Sequence, residues 1–473
     1  LDQKPYIWVY LINKLQLPHL TMFSSVYGPW TLFTDLGLIF ALLLVGKLIR
    51  VKVKFIQKLF IPPSLIAGFL GLAMGPNGLG WLPFSNQLGT YAGVLIALVF
   101  AALPLSSPKF RFKEVAGRVG PIWAYAQLGM LLQWAFMGLF GLFVLNIIWP
   151  QLNSAFGIML PTGFYGGHGT AAAIGDAFGS LGWEEAKSLG MTTATAGVVI
   201  AIVVGLVMVK RAAVKGDTSF ISDFSDLPDE LRTGLIPEGN REDAGTSTTS
   251  SISIDSLAFH LAFVFVVALI GYLFSQGVKS YYPKLEIPVF SASFIVGLVF
   301  KKIFDSTGVS EYICPRQTSR LSSTFTDLLV ACGVASIQLS VVVKYAVPLV
   351  ILIVTGAFVV WAVTFFLGRR LCKTFWFERS IFAWGWWTGT MAMGIALIRI
   401  VDPKLESKAM DDYAMAYLPI APVEILIITF VPVLFVNGLA LWLLLGLLLL
   451  SFLIVLFAKR MGWWIKPVKN TKP

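Results

Sequence analysis

Apolar residues run along this chain in blocks near the roughly 20 positions a helix needs to cross a bilayer. Such runs begin near Thr31, Phe60, Leu88, Val119 and Lys187, and again near Ser256, Glu286, Ser322, Tyr345, Tyr413 and Gly438. The pattern predicts eleven transmembrane helices. Two further segments, 152–180 and 379–401, are apolar on average but broken by glycine and threonine. The first contains "FYGGHGTAAAIGDAF" and the second "WGWWTGTMAMG". Both are expected to be re-entrant hairpins that return to the side they enter from.

Composition agrees with the blocks. A chain of 473 residues with 57% hydrophobic and 13% charged residues has too much apolar area to hide inside a soluble globule. The expectation is an all-α polytopic membrane protein. The excess of 36 Lys+Arg over 25 Asp+Glu is spread between apolar runs and forms no stripe, which speaks for topology and against nucleic acid. Cys314, Cys332 and Cys372 have no spacing that suggests a disulfide or a metal site.

Positive charge orients the runs, because Lys and Arg concentrate in cytoplasmic loops. With the N-terminus outside and the C-terminus inside, Lys47, Arg50, Lys52, Lys54 and Lys58 fall on the cytoplasmic side. So do Lys109, Arg111, Lys113 and Arg118, then Lys301 and Lys302, then Arg369, Arg370 and Lys373, and finally Lys459 and Arg460. Making either hairpin a full crossing would reverse everything after it.

Residues 214–255 are acidic, rich in Ser and Thr and poor in large apolar residues, as expected of a cytoplasmic linker. A linker halfway along suggests duplication. Pro62 and Gly71 in "IPPSLIAGFLG" share their spacing with Pro288 and Gly297 in "IPVFSASFIVG"; "LPLSSPK" pairs with "IQLSVVVK", and Gly169-Thr170 with Gly389-Thr390. The common order is the signature of an internal repeat. Five spans and a hairpin precede the linker, and an odd number of spans inverts the second copy. The expected units are an external segment 1–30, a first repeat 31–213, the linker 214–255, a second repeat 256–437, and an extra helix with a basic tail, 438–473.

Irregular backbone at membrane depth is tolerated where protein buries it or it lines a watery cavity. Glycine-broken segments at matching places in two inverted halves are the pattern of a secondary transporter's binding site. Amides at a half-helix N-terminus can hold a carboxylate, and carbonyls and hydroxyls at the opposite ends can hold Na⁺. The alternative, that these glycines serve only close helix packing, stays open.

"GGHGTAAA" followed by "GMTTATAG", with "LLLVGKLIRVKVKFIQKLFIPPSLIAGFL" near the start, resembles the bacterial sodium/glutamate symporter family over most of residues 31–437. The resemblance implies an inverted-repeat fold with two re-entrant loops, similar to the 2-hydroxycarboxylate transporters. It also implies a homodimer in the bacterial cytoplasmic membrane, Na⁺ as coupling ion, an acidic amino acid such as L-glutamate as substrate, and an elevator-like movement. The chain departs from the family at its second loop, where Trp384, Trp386 and Trp387 precede "TGTMAMG" and no proline is present. A different carboxylate, coupled to Na⁺ or H⁺, is therefore the alternative substrate class.

Candidate substrate contacts are Gly166, Gly167, His168, Gly169 and Thr170 in the first hairpin, and Thr388, Gly389, Thr390 and Arg399 in the second. His168 either donates to a substrate carboxylate or shapes the loop. Arg399 pairs a carboxylate or marks the cytoplasmic edge. Charges within spans are costly and point to function, which makes Asp176 and Glu424 candidates for Na⁺ binding or coupling, with Asp327 and Gln338, about three turns apart, as further members. The chain lacks the Gly-x-Gly-Asp run of an aspartyl intramembrane protease and a P-loop, and for the serine and histidine in separate spans of a rhomboid-like protease only His168 and His260 are available, so enzymatic function is not expected. A passive anion channel is the remaining alternative, since paired re-entrant loops also build pores.

Overall fold

The structure is a computed structural model describing residues 27–106, 119–220, 233–241, 243–281, 287–402 and 405–466. Most of the external segment 1–30, the basic loop with Lys109, Arg111, Lys113 and Arg118, part of the linker (221–232) and the last tail residues (467–473) lie outside the described residues.

Every regular element among the described residues is a helix. The first half contains α1 (Pro29–Lys52), α2 (Pro63–Met74), α3 (Leu88–Ser106), α4 (Gly120–Phe140), α5 (Met159–Phe164), α6 (Gly167–Ser180) and α7 (Glu185–Lys215). After the linker come α8 (Ser256–Tyr281), α9 (Val289–Thr307), α10 (Pro315–Ala335), α11 (Leu339–Lys344), α12 (Ala346–Leu371), α13 (Trp376–Thr388), α14 (Met391–Val401), α15 (Ala409–Val436) and α16 (Ala440–Arg460).

Among the described residues, eight helices are long and apolar enough to cross a membrane: α1, α3, α4 with its extension to Ile148, α7, α8, α12, α15 and α16. The other three expected spans are also helices, and their departure has a reason. α2 is only 12 residues long, α9 carries Lys301, Lys302 and Asp305 in its last turns, and α10 carries Arg316, Arg320 and Asp327.

Local sequence sets the ends. Pro62 and Pro288 hold extended N-cap positions, φ −63° and −56°, before α2 and α9, where a missing N–H costs nothing. Arg50 and Lys52 close α1, and Arg369 and Arg370 close α12, both at the negative end of the helix dipole. Asp35 shows that a buried charge in a span need not be functional. It is 1% exposed, yet accepts from the Ser85 N–H at 2.9 Å, the Tyr91 hydroxyl at 2.7 Å and the Ser85 hydroxyl. A carboxylate with three donors is satisfied where it stands.

The helices sort into two packed groups. α1, α2, α3, α8, α9 and α10 pack chiefly on one another, and α4, α7, α12, α15, α16 and the two broken segments do likewise. In the first group Gly71 of α2 lies against Ala335 of α10, while Gly297 of α9 lies against Pro104 and the Ala101 carbonyl of α3. The two glycines matched in sequence thus make reciprocal packing notches. Between the groups, α3 and α10 meet α6 and α7: Ile96 lies over Gly169, Met191 over Gly333, and Ser188 Oγ accepts from the Gln338 N–H at 3.2 Å.

Candidate functional site

α7 serves as a ruler for both broken segments. Along it, Gly175 lies at Lys187, Ala171 at Gly190, and Gly163 at Thr193 and Ala194, while Phe164 reaches Gly197. The approach to α5 begins beside the same end of α7: the Phe156 ring lies 5.7 Å from that of Tyr345, tilted against it, and the Tyr345 hydroxyl donates to Glu185 at 2.5 Å. The segment therefore descends from the Glu185 end, breaks at 165–167 and returns in α6.

The second segment comes from the other end. Glu378 accepts from the Ser219 N–H at 2.6 Å, just beyond the end of α7, Leu397 covers Gly205, and Trp384 Nε1 donates to the Ala201 carbonyl at 2.9 Å. Its two arms cross closely, with Gly385 against Gly394, and its turn at Gly389 reaches Ala201 and Gly197. Gly197 is 12 residues from Glu185 in a helix of 31, about 18 Å along it. The two turns meet head to head near mid-helix. A Cβ on Gly167 would stand 3.3 Å from the Gly389 carbonyl and 3.6 Å from Thr390 Cγ2. Gly167 also has φ +62°, a conformation that glycine adopts without the penalty other residues incur.

Both returning helices start at this meeting point, α6 at Gly167 and α14 at Met391 behind the extended N-cap Thr390. Two positive helix ends converge on one place. His168 is buried, with Nε2 3.1 Å from Thr195 Oγ1, so the "GGHGT" and "TTAT" motifs bond directly. Thr170 packs under Gly166, and the Thr388 hydroxyl donates to the Trp384 carbonyl at 2.6 Å. Gly166, Gly169 and Thr390 keep partial exposure, and Met391 is 40% exposed. The glycine that faces the second turn is Gly167, so the sequence pairing of Gly169-Thr170 with Gly389-Thr390 is out of register with the helix breaks.

Not all expected residues gather here. Asp176 is nine residues into the returning arm, about 13 Å from the turn, and pairs with Lys187 at 2.5 Å. Lys187 also donates to the Gly89 carbonyl on α3. That charge is already balanced, by a tether between the two helix groups. Gln338 caps α11 beside Ser188, at the far Glu185 end, and Arg399 lies in the last turn of α14. Asp327 is exposed on α10, six residues from Gly333, just as Gly197 is six from Met191. With Gly333 against Met191, Asp327 stands at about the depth of the turns.

Glu424 is 8% exposed and accepts from the Tyr417 hydroxyl at 3.0 Å. It is linked through Tyr417 and Trp386 to Tyr165, in the first turn. Tyr165 stacks on Trp386 at 6.0 Å, and Trp386 meets Tyr417 at 5.4 Å and Tyr413 at 5.8 Å. The Tyr165 hydroxyl is buried without a hydrogen-bond partner among the described residues. Such a group normally has one. Sequence reading marked Trp386 only as one of three tryptophans at the second loop, and missed Tyr165, Thr195, Tyr413 and Tyr417. Tyr413, Tyr417 and Glu424 repeat at i, i+4 and i+11 on one face of α15, a signal that was there to find.

The tryptophans of the second hairpin divide by role. Trp384 is bonded to α7, and Trp387 fills the notch at Gly129 and lies 4.9 Å from Tyr125. Trp386 alone of the three stacks on the first turn.

A family model for the sodium/glutamate symporter matches residues 31–376. The chain belongs to the sodium/glutamate symporter family. It is thus a secondary transporter and not an enzyme, with Na⁺ as coupling ion and an acidic amino acid as substrate. Its apolar helices make it a multi-pass membrane protein. Among solved structures, the sodium proton antiporter MjNhaP1 from Methanocaldococcus jannaschii at pH 8 aligns at 16% identity. That alignment covers 88% of this chain and 99% of that one with a TM-score of 0.36, too loose to carry an argument. No curated protein matches the chain. In this symporter the family match ends at Trp376, just as the second hairpin begins, so the second turn and the α15 cluster lie beyond it.

Proposed function

We propose that this symporter carries L-glutamate with Na⁺ into a bacterial cell across the cytoplasmic membrane, holding it where the two hairpin turns meet. The observation that carries the reading is the convergence of the α6 and α14 N-termini beside Gly197. Two positive helix ends suit a substrate with two carboxylates. Na⁺ takes the neutral oxygens there: the described residues contain no cluster of three His, Cys, Asp or Glu side chains, whereas the carbonyls of Thr388 and Gly389 and the hydroxyls of Thr170 and Thr195 lie at the turns. Na⁺ bound at the turns orders them and raises affinity for the carboxylates, which is the coupling.

The movement proposed is an elevator, with α4, α7, α12, α15 and both hairpins sliding as one body against α1–α3 and α8–α10. The reciprocal Gly71 and Gly297 notches support two inverted repeats. With the N-terminus outside, the named contacts between the bodies lie toward the external end of α7, where α3, α6 and α8 also line a cavity that reaches Asp176 and Lys187. A homodimer through the non-moving body completes the proposal.

The test is uptake of radiolabelled L-glutamate into liposomes bearing the purified protein, with an inward Na⁺ gradient and K⁺ as control. Saturable uptake that needs Na⁺ supports the reading. Saturable uptake of other carboxylates but not glutamate would reassign the substrate, and a non-saturating current would favour a pore.

A further inference from the structure

The helix ends at the two turns explain how carboxylates are held; they leave the positive ammonium of an amino acid unaccounted for. Building on the proposed site, we infer that Glu424 and the aromatic cluster of Tyr165, Trp386 and Tyr417 form the subsite for the substrate's α-ammonium group and so select amino acids over their deaminated analogues.

Three observations converge. Glu424 is a buried carboxylate inside an apolar span, and among the described residues its partner is the neutral Tyr417 hydroxyl, with no ion pair. A buried charge without a counter-charge is costly, so a cation that arrives with the ligand would be strongly favoured there. The Tyr165 hydroxyl, on a residue 4% exposed, has no partner, and it belongs to the first turn itself. An ammonium donates three hydrogen bonds, which Glu424 and that phenol oxygen can accept. Finally, the rings that line the subsite, Trp386 with Tyr165 at 6.0 Å and Tyr417 at 5.4 Å, offer π faces that attract organic cations. A hard metal ion instead draws a shell of oxygens, which this aromatic surround does not provide.

The position fits the rest of the site. Tyr165 and Trp386 each come from one of the two hairpins, so a ligand ammonium resting between them and Glu424 ties both turns to α15. Amino-group recognition and ordering of the turns then become one event.

The probes are L-glutamate and glutarate, which differ by the amino group. Apparent affinities are read from ligand-induced thermal stabilisation of the purified full chain in Na⁺, with Na⁺ half-saturation measured separately using glutarate. The wild type should bind glutamate at least tenfold more tightly than glutarate. In Glu424→Gln that ratio should fall at least tenfold, with Na⁺ half-saturation within about threefold of wild type. An unchanged ratio overturns the inference. A shift of Na⁺ half-saturation beyond that range also overturns it and makes Glu424 a Na⁺ ligand. If Glu424→Gln does not fold, Tyr165→Phe decides: the ratio should drop severalfold, and no drop refutes the subsite. A wild type that binds both probes equally sinks the ammonium subsite and leaves the transport reading standing; one that binds neither sinks the transport reading.

Discussion

Gly197 bears directly on the meeting of the two turns. A Cβ added there would sit 2.1 Å from the Thr388 carbonyl oxygen, well inside van der Waals contact, so the Gly197→Ala protein must displace backbone at the second turn by about 1 Å. A misplacement of that size in a binding constellation costs on the order of 100-fold, or about 2.7 kcal/mol. Gly205→Ala is the matched control. It lies two turns along the same helix, and its added Cβ meets only the ends of the Leu397 side chain, at 2.7 and 2.8 Å. Leu397 can shift its rotamer at a cost of about 1 kcal/mol. Initial rates of Na⁺-driven glutamate uptake, normalised to folded protein by size-exclusion profile, should drop about 100-fold for Gly197→Ala and less than fivefold for Gly205→Ala. Equal effects, or normal uptake by Gly197→Ala, would refute the claim that the turn at Thr388 is held in register by this glycine.

Asp176→Asn should leave Na⁺ half-saturation unchanged while lowering the melting temperature by a few degrees, because it loosens the Lys187 tether to α3; both are read in one Na⁺ titration by differential scanning fluorimetry. His168→Ala removes the bond to Thr195 and leaves a buried hydroxyl without its partner, at about 1–3 kcal/mol, so glutamate affinity and melting temperature should fall together in a binding titration.

Much of the architecture was legible because the bilayer writes it into the sequence. Apolar runs of sufficient length mark helices such as α1, α7 and α12 with little ambiguity. Gly166 and Gly167 announced the first break, and Gly389 the second, since breaks at membrane depth need such residues. What sequence did not give was contact between distant segments. It could not show that Asp176 is matched by Lys187, that Gln338 stands at the far end of α7, or that Asp35 is satisfied by Ser85 and Tyr91. A charge in a span is costly in isolation, and only the fold says which charges already have partners. The same applies to the tryptophans: Trp384, Trp386 and Trp387 look alike in the sequence, but Trp386 alone of them stacks on the first turn. Tyr165 gave no sequence signal at all, because its importance rests on an unfilled hydrogen bond.

The claim that the substrate sits between the turns is tested most directly by protection. Thr390→Cys places a thiol at the second turn, beside Gly167, against a background in which Cys314, Cys332 and Cys372 are buried. The alkylation rate is measured in Na⁺ alone, in K⁺ with L-glutamate, and in Na⁺ with L-glutamate. The account predicts marked slowing only when Na⁺ and glutamate are present together. Labelling at one rate in all three conditions, in protein that still binds glutamate, would place the substrate elsewhere.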